Sequence, residues 1–251
     1  GHLTPQGSMS TQSDASGVIT RGPGTYDGVY FQDGLYLSGA GTYVFTDCIF
    51  EGTADSWLCV AYDANLGTGS SLLFEDCTFR WRDGDDPADS QTGNGSIVNL
   101  GISLTLTLRR CDLSGMAIGV QAAGTVTIED CVIHDLVYWG TFPDNTHGEA
   151  IACYQGTLSV TGSYLGMHAV SGMSTACLFF QGADINAVTV SGCYIDGGGY
   201  QYYAQGGDHA VTNNVFGPNY LFGRHSFAEG SPTVVSWTGN VDHLGNPVTG
   251  P

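Results

Sequence analysis

The feature that most constrains this chain is a ten-residue pattern that recurs along most of its length. Each copy alternates apolar and small polar residues, as in VTIEDCVIHD at 126–135. Such alternation is typical of short, half-buried β-strands. Aligned on their central position, the copies place there Cys48, Cys77, Cys111, Cys131, Ser163, Cys193, Asn214 and Asn240. Repeats this short bury a core only when they stack on one another.

A second short element lies between copies of the pattern, as in AIGVQAAG at 117–124 and AIACYQG at 150–156. Two or three short strands per repeat, joined by tight bends, predict an all-β fold: a right-handed, single-stranded parallel β-helix of about eight coils. At about 4.8 Å per coil, such a column is roughly 38 Å long. The predicted single domain comprises a tag or linker remnant at 1–8, an N-terminal cap or first coil at 9–42, regular coils at 43–216 and a C-terminal coil or cap at 217–251.

Stacking in register turns the central positions into a ladder of equivalent side chains. The Cys side chains are expected to point inward as small hydrophobes, because side chains stacked in parallel do not face each other as a disulfide requires. Asp47, Asp76 and Asp130, each directly before a ladder Cys, are expected at a bend. The amides of Asn214 and Asn240 are expected to end the ladder with hydrogen bonds.

The charge of the chain excludes several classes of partner. Six Arg, with no Lys, stand against 24 acidic residues, and the net charge is −18. Nucleic-acid binding depends on neutralising phosphates, so no nucleic acid is expected as a partner. No apolar run reaches the roughly 18 residues that a membrane helix needs, so no membrane insertion is expected.

The repeat VTIEDCVI, followed by AIACYQG, resembles the pectate-lyase-like right-handed β-helix superfamily over about residues 43–243. Glycine-rich versions without Lys are similar to those of actinobacterial carbohydrate-active enzymes and of phage tail or tailspike proteins. The resemblance implies a polysaccharide or cell-surface glycan as partner, an extracellular or virion-associated location and, for tail-type β-helices, a homotrimer. It implies no single reaction, because this fold hosts lyases, hydrolases, epimerases and inert binders.

Insertions that break the repeat are the places to look for function, since the ladder positions are structural. Two long insertions, 80–95 and 134–148, follow the same strand of the repeat, and so does the loop that carries His168. They are expected to emerge along one edge of the column. The short connection 114–116 between the two long insertions leaves a notch about two coils wide, which suits a saccharide chain.

Aromatic and polar side chains in and beside these insertions are candidates for contacts with sugar rings. The predicted substrate-binding residues are Trp81, Tyr138, Trp139, Phe142, Tyr154, Arg80, Arg82 and His168. The alternative is that the aromatic rings pack the insertions onto the column.

Carboxyl groups at the exit of the second insertion are the candidates for catalysis. Glycoside hydrolysis needs one carboxyl that an apolar setting keeps protonated and another that stays ionised. Glu149, beside the apolar AIACY segment, is the predicted acid. The predicted base is Asp144, or Asp85 or Asp86 from the facing insertion, and His147 is expected to orient a hydroxyl or carry a proton. The alternative is a hydrogen-bonded cluster that closes the loop.

The segment THGEAI resembles the His-x-Asp-Gly-Ile segment of many actinobacterial β-helices, with Glu in place of Asp and Ala in place of Gly.

An acidic run in the first insertion is a candidate calcium site, formed by Asp83, Asp85, Asp86 and Asp89. Ca²⁺ prefers oxygen ligands, but the spacing differs from that of an EF-hand, and solvated loop acids are the alternative. A lyase mechanism needs Ca²⁺ and an Arg base on an acidic sugar, and Arg80 and Arg82 lie beside these acids. A chain this acidic attracts polyuronates poorly, so neutral glycans fit the charge better. No other cofactor is expected.

Three functions remain open at this stage. The first is a glycoside hydrolase or polysaccharide lyase acting on a cell-surface glycan, such as a phage tail depolymerase. The second is a non-catalytic glycan- or receptor-binding module, and the third is a structural spacer. Regular connections are typical of a spacer, and the uneven insertions disfavour it. We favour the first.

Overall fold

Each repeat contributes three short strands that carry the chain once around a column. The computed structural model describes residues 10–12, 19–32, 34–52, 58–62, 66, 69–81, 95–98, 104–136, 148–167, 175–228 and 232–251. The strands, numbered in chain order, are β1 (Ser10–Gln12), β2 (Ile19–Arg21), β3 (Gly24–Asp27), β4 (Val29–Phe31), β5 (Leu35–Leu37), β6 (Thr42–Thr46), β7 (Ile49–Gly52), β8 (Leu58–Tyr62), β9 (Ser71–Glu75), β10 (Thr78–Trp81), β11 (Gly95–Val98), β12 (Thr105–Arg109), β13 (Asp112–Ser114), β14 (Ile118–Ala122), β15 (Thr125–Glu129), β16 (Val132–His134), β17 (Glu149–Thr161), β18 (Tyr164–Gly166), β19 (Ala176–Ser191), β20 (Tyr194–Asp196), β21 (Tyr200–Ala204), β22 (Gly207–Thr212), β23 (Val215–Phe216), β24 (Gly223–Phe227), β25 (Pro232–Thr238) and β26 (Val241–Asp242). The period-two pattern sets their faces: in β15, Val126 and Ile128 are buried while the residues between them are not.

The strands form two sheets that present three faces. Sheet A has the order β1-β4-β7-β10-β13-β16-β18-β20-β23-β26. The second sheet has two limbs: limb B1 contains β2, β5, β8, β11, β14, β21 and β24, and limb B2 contains β3, β6, β9, β12, β15, β22 and β25. The long strands β17 and β19 belong to limb B1 in their first part and to limb B2 in their last part. Each coil runs from sheet A through limb B1 to limb B2, and the predicted right-handed parallel β-helix is confirmed.

The eight ladder positions read from the sequence mark successive coils, and the column also extends beyond them at its N-terminal end. Tyr30 pairs with Ile49, so Val29 lies one coil before Cys48, and β1 pairs with β4. Two strands of sheet A therefore precede β7.

A residue in the left-handed conformation precedes each ladder position from Val29 onward. Asp47, Asp76 and Asp130 have φ of 51°, 55° and 53°, so the predicted bend is confirmed. The other coils place Gly28, Arg110, Gly162, Gly192, Asn213 and Gly239 there. Asp, Asn and Gly tolerate this conformation best. Arg110 is the exception, and its guanidinium pairs with Glu75 and Asp76 on the outside.

Hydrogen bonds connect the ladder side chains to the backbone of the neighbouring coil. The N–H of Cys131 donates to Oγ of Ser163 (3.1 Å), and the N–H of Cys193 donates to Oδ1 of Asn214 (2.9 Å). The N–H of Asn214 donates in turn to Oδ1 of Asn240 (3.0 Å), which confirms the predicted amide end of the ladder. Seven Cys side chains are described, and all seven are buried free thiols.

The last residues of the chain fold across the end of the column. Pro247 forms an antiparallel bridge with Val241, and the indole N–H of Trp237 donates to the carbonyl of Val248 (2.8 Å). These contacts cover part of the last coil, whose strand edges would otherwise be free to pair. No helix in the described ranges is long and apolar enough to cross a membrane.

Candidate functional site

The two long insertions are anchored on one edge of sheet A. Strand β10 ends at Trp81 and β16 ends at His134, and β13 pairs in parallel with both. The chain therefore leaves for each insertion from the same edge, two coils apart, which agrees with the predicted shared rim. The short connection 115–117 between β13 and β14 lies between them.

Most of the predicted site residues lie outside the described residues. They are Arg82, Asp83, Asp85, Asp86, Asp89, Tyr138, Trp139, Phe142, Asp144, His147 and His168. The calcium site, the base and the aromatic walls of the notch stay predictions. Within the described ranges, no three His, Cys, Asp or Glu side chains are grouped so that they could hold a metal ion.

Glu149, the predicted acid, is a buried carboxyl at the exit of the second insertion. It begins β17, pairs with Ile118 of the preceding coil, and is 1% exposed. The side chain of Thr175 hydrogen-bonds to it, whereas Oε2 is buried and has no hydrogen-bond partner among the described residues. Burial raises the pKa of Glu149 to about 7, and the bond from Thr175 opposes the shift. The group is therefore partly protonated near neutral pH.

A second titratable cluster lies at the entrance to the same insertion, and the sequence reading did not single it out. His134 bonds through Nε2 to Oδ1 of Asp112 (2.9 Å) and through Nδ1 to Oδ2 of Asp135 (2.7 Å). The bond to Asp112 is the largest cause that raises the pKa of His134 to about 8, against the effect of burial. The contact between His134 and Asp112 follows from the register of sheet A, in which the strand of Asp112 pairs with the strand of His134 and Ser114 is the direct partner of His134. That register was the feature that could have predicted the cluster.

Glu149 and His134 lie at one corner of the column. His134 pairs with Ser114, and Glu149 pairs with Ile118. Ser114 and Ile118 are four residues apart, so their Cα atoms are at most about 14 Å apart. Because β16 and β17 pair in parallel with β13 and β14, His134 and Glu149 are separated by a similar distance in the next coil. A buried, partly protonated carboxyl and a carboxylate–imidazole cluster thus flank the two ends of one insertion.

The remaining described candidates occupy different places. Trp81 is 8% exposed and packs in the core, which leaves little of its ring for a ligand. Arg80 bonds to the buried Glu51 (2.8 Å), and its guanidinium lies over the ring of Tyr30 (5.8 Å). Tyr154 is half-buried, and its pKa is raised by burial and then by the nearby Glu149. Of these three, Tyr154 alone shows a described interaction with Glu149.

A group of outward aromatic rings follows Tyr154 along limb B1 and was not predicted. Phe179 and Tyr203 stack with ring centroids 5.7 Å apart, and Tyr203 stacks on Tyr200 at 5.5 Å. Ala152 pairs with Phe179, and Phe179 pairs with Tyr203 in the next coil. The segments ACLFFQG and QYYAQGG of the second element each contain two adjacent aromatic residues, and no prediction was made of which of them points outward.

The family of right-handed β-helix regions has a model that matches residues 26–216. Such regions are common in polysaccharide-processing enzymes. Among curated proteins and solved structures, none matches the chain. Glu149, the His134 cluster and the outward aromatic rings all lie within the matched residues.

Proposed function

Because the chain belongs to the right-handed β-helix family, we propose that it processes a polysaccharide, as a glycoside hydrolase in which Glu149 is the general acid. One observation carries this proposal: a carboxyl that is buried, has one oxygen without a hydrogen-bond partner among the described residues and has a pKa of about 7 lies where the second insertion rejoins the column. A buried carboxyl with an unpaired oxygen reduces stability, and such groups concentrate at functional sites.

The chemistry required of Glu149 is the transfer of one proton. Near neutral pH part of the population is protonated, and Oε2, which is buried and has no hydrogen-bond partner among the described residues, is the atom that would carry the proton to the oxygen of a glycosidic bond. Thr175 holds the side chain through its hydroxyl. The base that activates water remains Asp144, or Asp85 or Asp86, as part of the proposal.

The surroundings of Arg80 favour hydrolysis over elimination. An Arg base must lose a proton. Burial lowers the pKa of Arg80, but bonds with Tyr30 and Glu51 outweigh this effect, and the net shift is upward. A guanidinium held in this way is a poor base. The net charge of −18 also disfavours the acidic sugars that a lyase would use.

The second candidate is a non-catalytic glycan- or receptor-binding module, such as a phage tail component. The partly exposed rings of Tyr154, Tyr200 and Tyr203 favour it, because ring stacking alone binds sugars without catalysis. A location outside the cell or on a virion, and a homotrimer, belong to this proposal through the resemblance of the repeat.

The test compares Glu149→Gln with the wild type for release of reducing ends from soluble neutral polysaccharides and bacterial cell-wall glycans. Loss of a general acid costs about 10²- to 10⁴-fold in rate. The wild-type rate should also fall as pH rises above about 7, because Glu149 loses its proton.

The matched control is Glu129→Gln, which changes a partly exposed carboxyl on limb B2 and should keep the wild-type rate. Cleavage that is equal in Glu149→Gln and the wild type contradicts the role of Glu149. Binding to a glycan that is never cleaved, by either protein, supports the second candidate instead.

A further inference from the structure

The outer side of limb B1 carries a continuous group of aromatic rings, which we name the aromatic face: Tyr154, Phe179, Tyr200, Tyr203 and Phe222. One column of the register contains Ala152, Phe179, Tyr203 and Ser226, and a second contains Ala176, Tyr200 and Gly223. Glu149 precedes Ile151 as Ala176 precedes Leu178, and Ile151 pairs with Leu178. Glu149 therefore belongs to the second column, one coil before Ala176.

The rings of the aromatic face contact one another from coil to coil. Phe179 and Tyr203 are nearly parallel, with 15° between their planes, and Tyr154 meets Phe179 edge-on at 6.3 Å. Tyr200 contacts both Tyr203 and Phe222, the latter at 5.6 Å. The face thus extends over several coils, and each coil adds about 4.8 Å along the axis, close to the length of one pyranose residue.

These rings are not needed to fill the interior of the column. Inward residues of the same strands, Leu178, Phe180 and Tyr202, already fill it and are fully buried. The three Tyr of the aromatic face are partly exposed and Phe222 is 64% exposed, whereas Phe179 is 7% exposed and forms the buried centre against which the three Tyr pack. Contiguous apolar surface of this kind marks a binding site more often than chance exposure does.

The face is uncharged in a strongly acidic protein. Its two columns contain aromatic, small and hydroxyl residues, and Glu149 is their one carboxyl. Gln205 donates to the hydroxyl of Tyr203 (2.8 Å), so amide and hydroxyl groups border the rings. Stacking surfaces edged by neutral hydrogen-bonding groups complement an uncharged sugar chain, which presents C–H faces and hydroxyls.

A second pair of outward rings provides the contrast. Tyr164 and Tyr194 stack at 5.3 Å on the outer side of sheet A, and Tyr164 is 42% exposed. Burial, and then the carboxylates of Asp196 and Asp135, raise the pKa of Tyr164. The Tyr164–Tyr194 pair therefore differs from the aromatic face in two ways: acidic side chains lie near it, and it belongs to sheet A, whereas Glu149 belongs to limb B1.

We propose that the aromatic face binds a neutral glycan that runs along the column axis, with one end of the chain at Glu149. The identity of the ligand as a glycan rests on the proposed function. The direction of the bound glycan is inferred from the register of limb B1, and its neutral character is inferred from the lack of charge on that limb's outer side. Successive sugars of the bound glycan would stack on the exposed parts of Tyr203, Tyr200 and Phe222, of which the two Tyr pack against the buried cluster that contains Phe179.

The experiment is native-gel affinity electrophoresis, which suits a protein of pI near 4.2. The gels contain soluble glucan, mannan, galactan or xylan, or polygalacturonate as the anionic probe. The proteins carry Glu149→Gln so that the probe stays intact. In this background, Tyr203→Ala and Phe222→Ala should each weaken the binding of a neutral glycan about five- to tenfold. The matched control is Tyr164→Ala, which removes an exposed stacked Tyr from sheet A and should bind like its parent.

The outcomes separate this proposal from the proposed function. Unchanged binding in Tyr203→Ala and Phe222→Ala overturns the aromatic face as the glycan site, while cleavage lost in Glu149→Gln alone would still support the hydrolase. Stronger binding of polygalacturonate than of every neutral glycan overturns the neutral character of the ligand. Failure to bind or cleave any of the probes overturns both proposals. A change in sedimentation to a smaller species in Tyr203→Ala identifies the face as a contact between copies of the chain instead.

Discussion

The interiors of the N-terminal and C-terminal coils have the same backbone geometry but are held by different forces. In the N-terminal coils, Phe31, Phe50 and Phe79 stack on sheet A with centroids 5.1 and 4.8 Å apart. Phe45 and Phe74 stack beside them on limb B2 at 4.9 Å and meet the first column edge-on. This interior is stabilised by apolar burial and ring contacts.

The C-terminal interior instead contains polar groups that are paired with one another. The hydroxyl of Tyr202 donates to Nδ1 of His209 (2.6 Å), whose Nε2 donates to the carbonyl of Gly206 (2.7 Å). The Asn214 amide also donates to Asn240 and to the carbonyl of Val190 (both 3.0 Å). A solenoid needs only compatible nearest neighbours, so one column can change from apolar stacking to hydrogen bonding without changing its coil.

The largest effect should come from removing volume in the N-terminal stack. Phe50→Ala should lower the free energy of unfolding by about 3–5 kcal/mol, because a buried ring leaves a cavity between two others. Chemical denaturation measures the loss. Phe50→Leu, which keeps most of the apolar volume, should lose about 1 kcal/mol. If Phe50→Ala and Phe50→Leu lost the same unfolding free energy, the stacking geometry of the rings, and not their volume, would be what stabilises the N-terminal coils.

The sequence predicted the column well because the ladder residues are read locally. The position of Asp47 and Asp130 directly before a ladder Cys predicts a bend, and the recurrence of Cys at the Cys131 position predicts a buried side chain. The start of the column was harder, since Val29 stands in a ladder where Cys was expected.

The candidate site was predicted only in part, for a related reason. Glu149 was recognisable as a carboxyl beside an apolar strand. The partnership of His134 with Asp112, 22 positions earlier, depends on the register between coils. Tyr203 follows Tyr202 in β21, so aromatic residues occupy both faces of this strand. The alternation of apolar and polar residues therefore could not show which of the two rings points outward.

Glu149 lies between the two interiors and provides a buried polar group that is neither stacked nor fully paired. Its pKa is raised from 4.5 to about 7 by burial, so the folded state binds its proton more tightly than the unfolded chain does. The resulting loss of stability is absent below about pH 4.5, grows as pH rises, and is complete above about pH 7, where it reaches about 3 kcal/mol.

Glu149→Gln should therefore gain about 3 kcal/mol on the wild type between pH 5 and pH 9, measured by denaturation at each pH. Glu129→Gln should show no comparable gain, because its carboxyl is partly exposed. Parallel pH curves for the wild type and Glu149→Gln would contradict a buried, tightly protonated Glu149.

The next effect tests hydrogen bonding in the C-terminal ladder. Asn214→Ala should lose about 2–3 kcal/mol, because it leaves the N–H of Cys193 and the carbonyl of Val190 without their partner. Asn214→Ser should recover part of the loss, since Ser163 accepts the same kind of bond from Cys131. If Asn214→Leu were as stable as the wild type, hydrogen bonds would not be what stabilises the C-terminal interior, and the two halves would both depend on apolar packing. Denaturation midpoints at constant m-value decide between these outcomes.

The smallest effect is an acid sensitivity confined to the C-terminal half. Burial lowers the pKa of His209 below 6.5, so the unfolded chain takes up a proton more readily than the folded chain. Stability should fall as pH falls below 6.5, by at most about 1.4 kcal/mol per pH unit, until the folded pKa is passed. Hydrogen exchange at pH 6.5 and pH 5 should therefore show a loss of protection in β21, β22 and β25, after correction for the intrinsic rate, while β6, β7 and β9 stay protected. In His209→Gln the difference between the two pH values should disappear from the C-terminal strands, because the side chain no longer titrates. Equal loss of protection in both halves would show that the acid sensitivity does not arise from His209 in the polar interior.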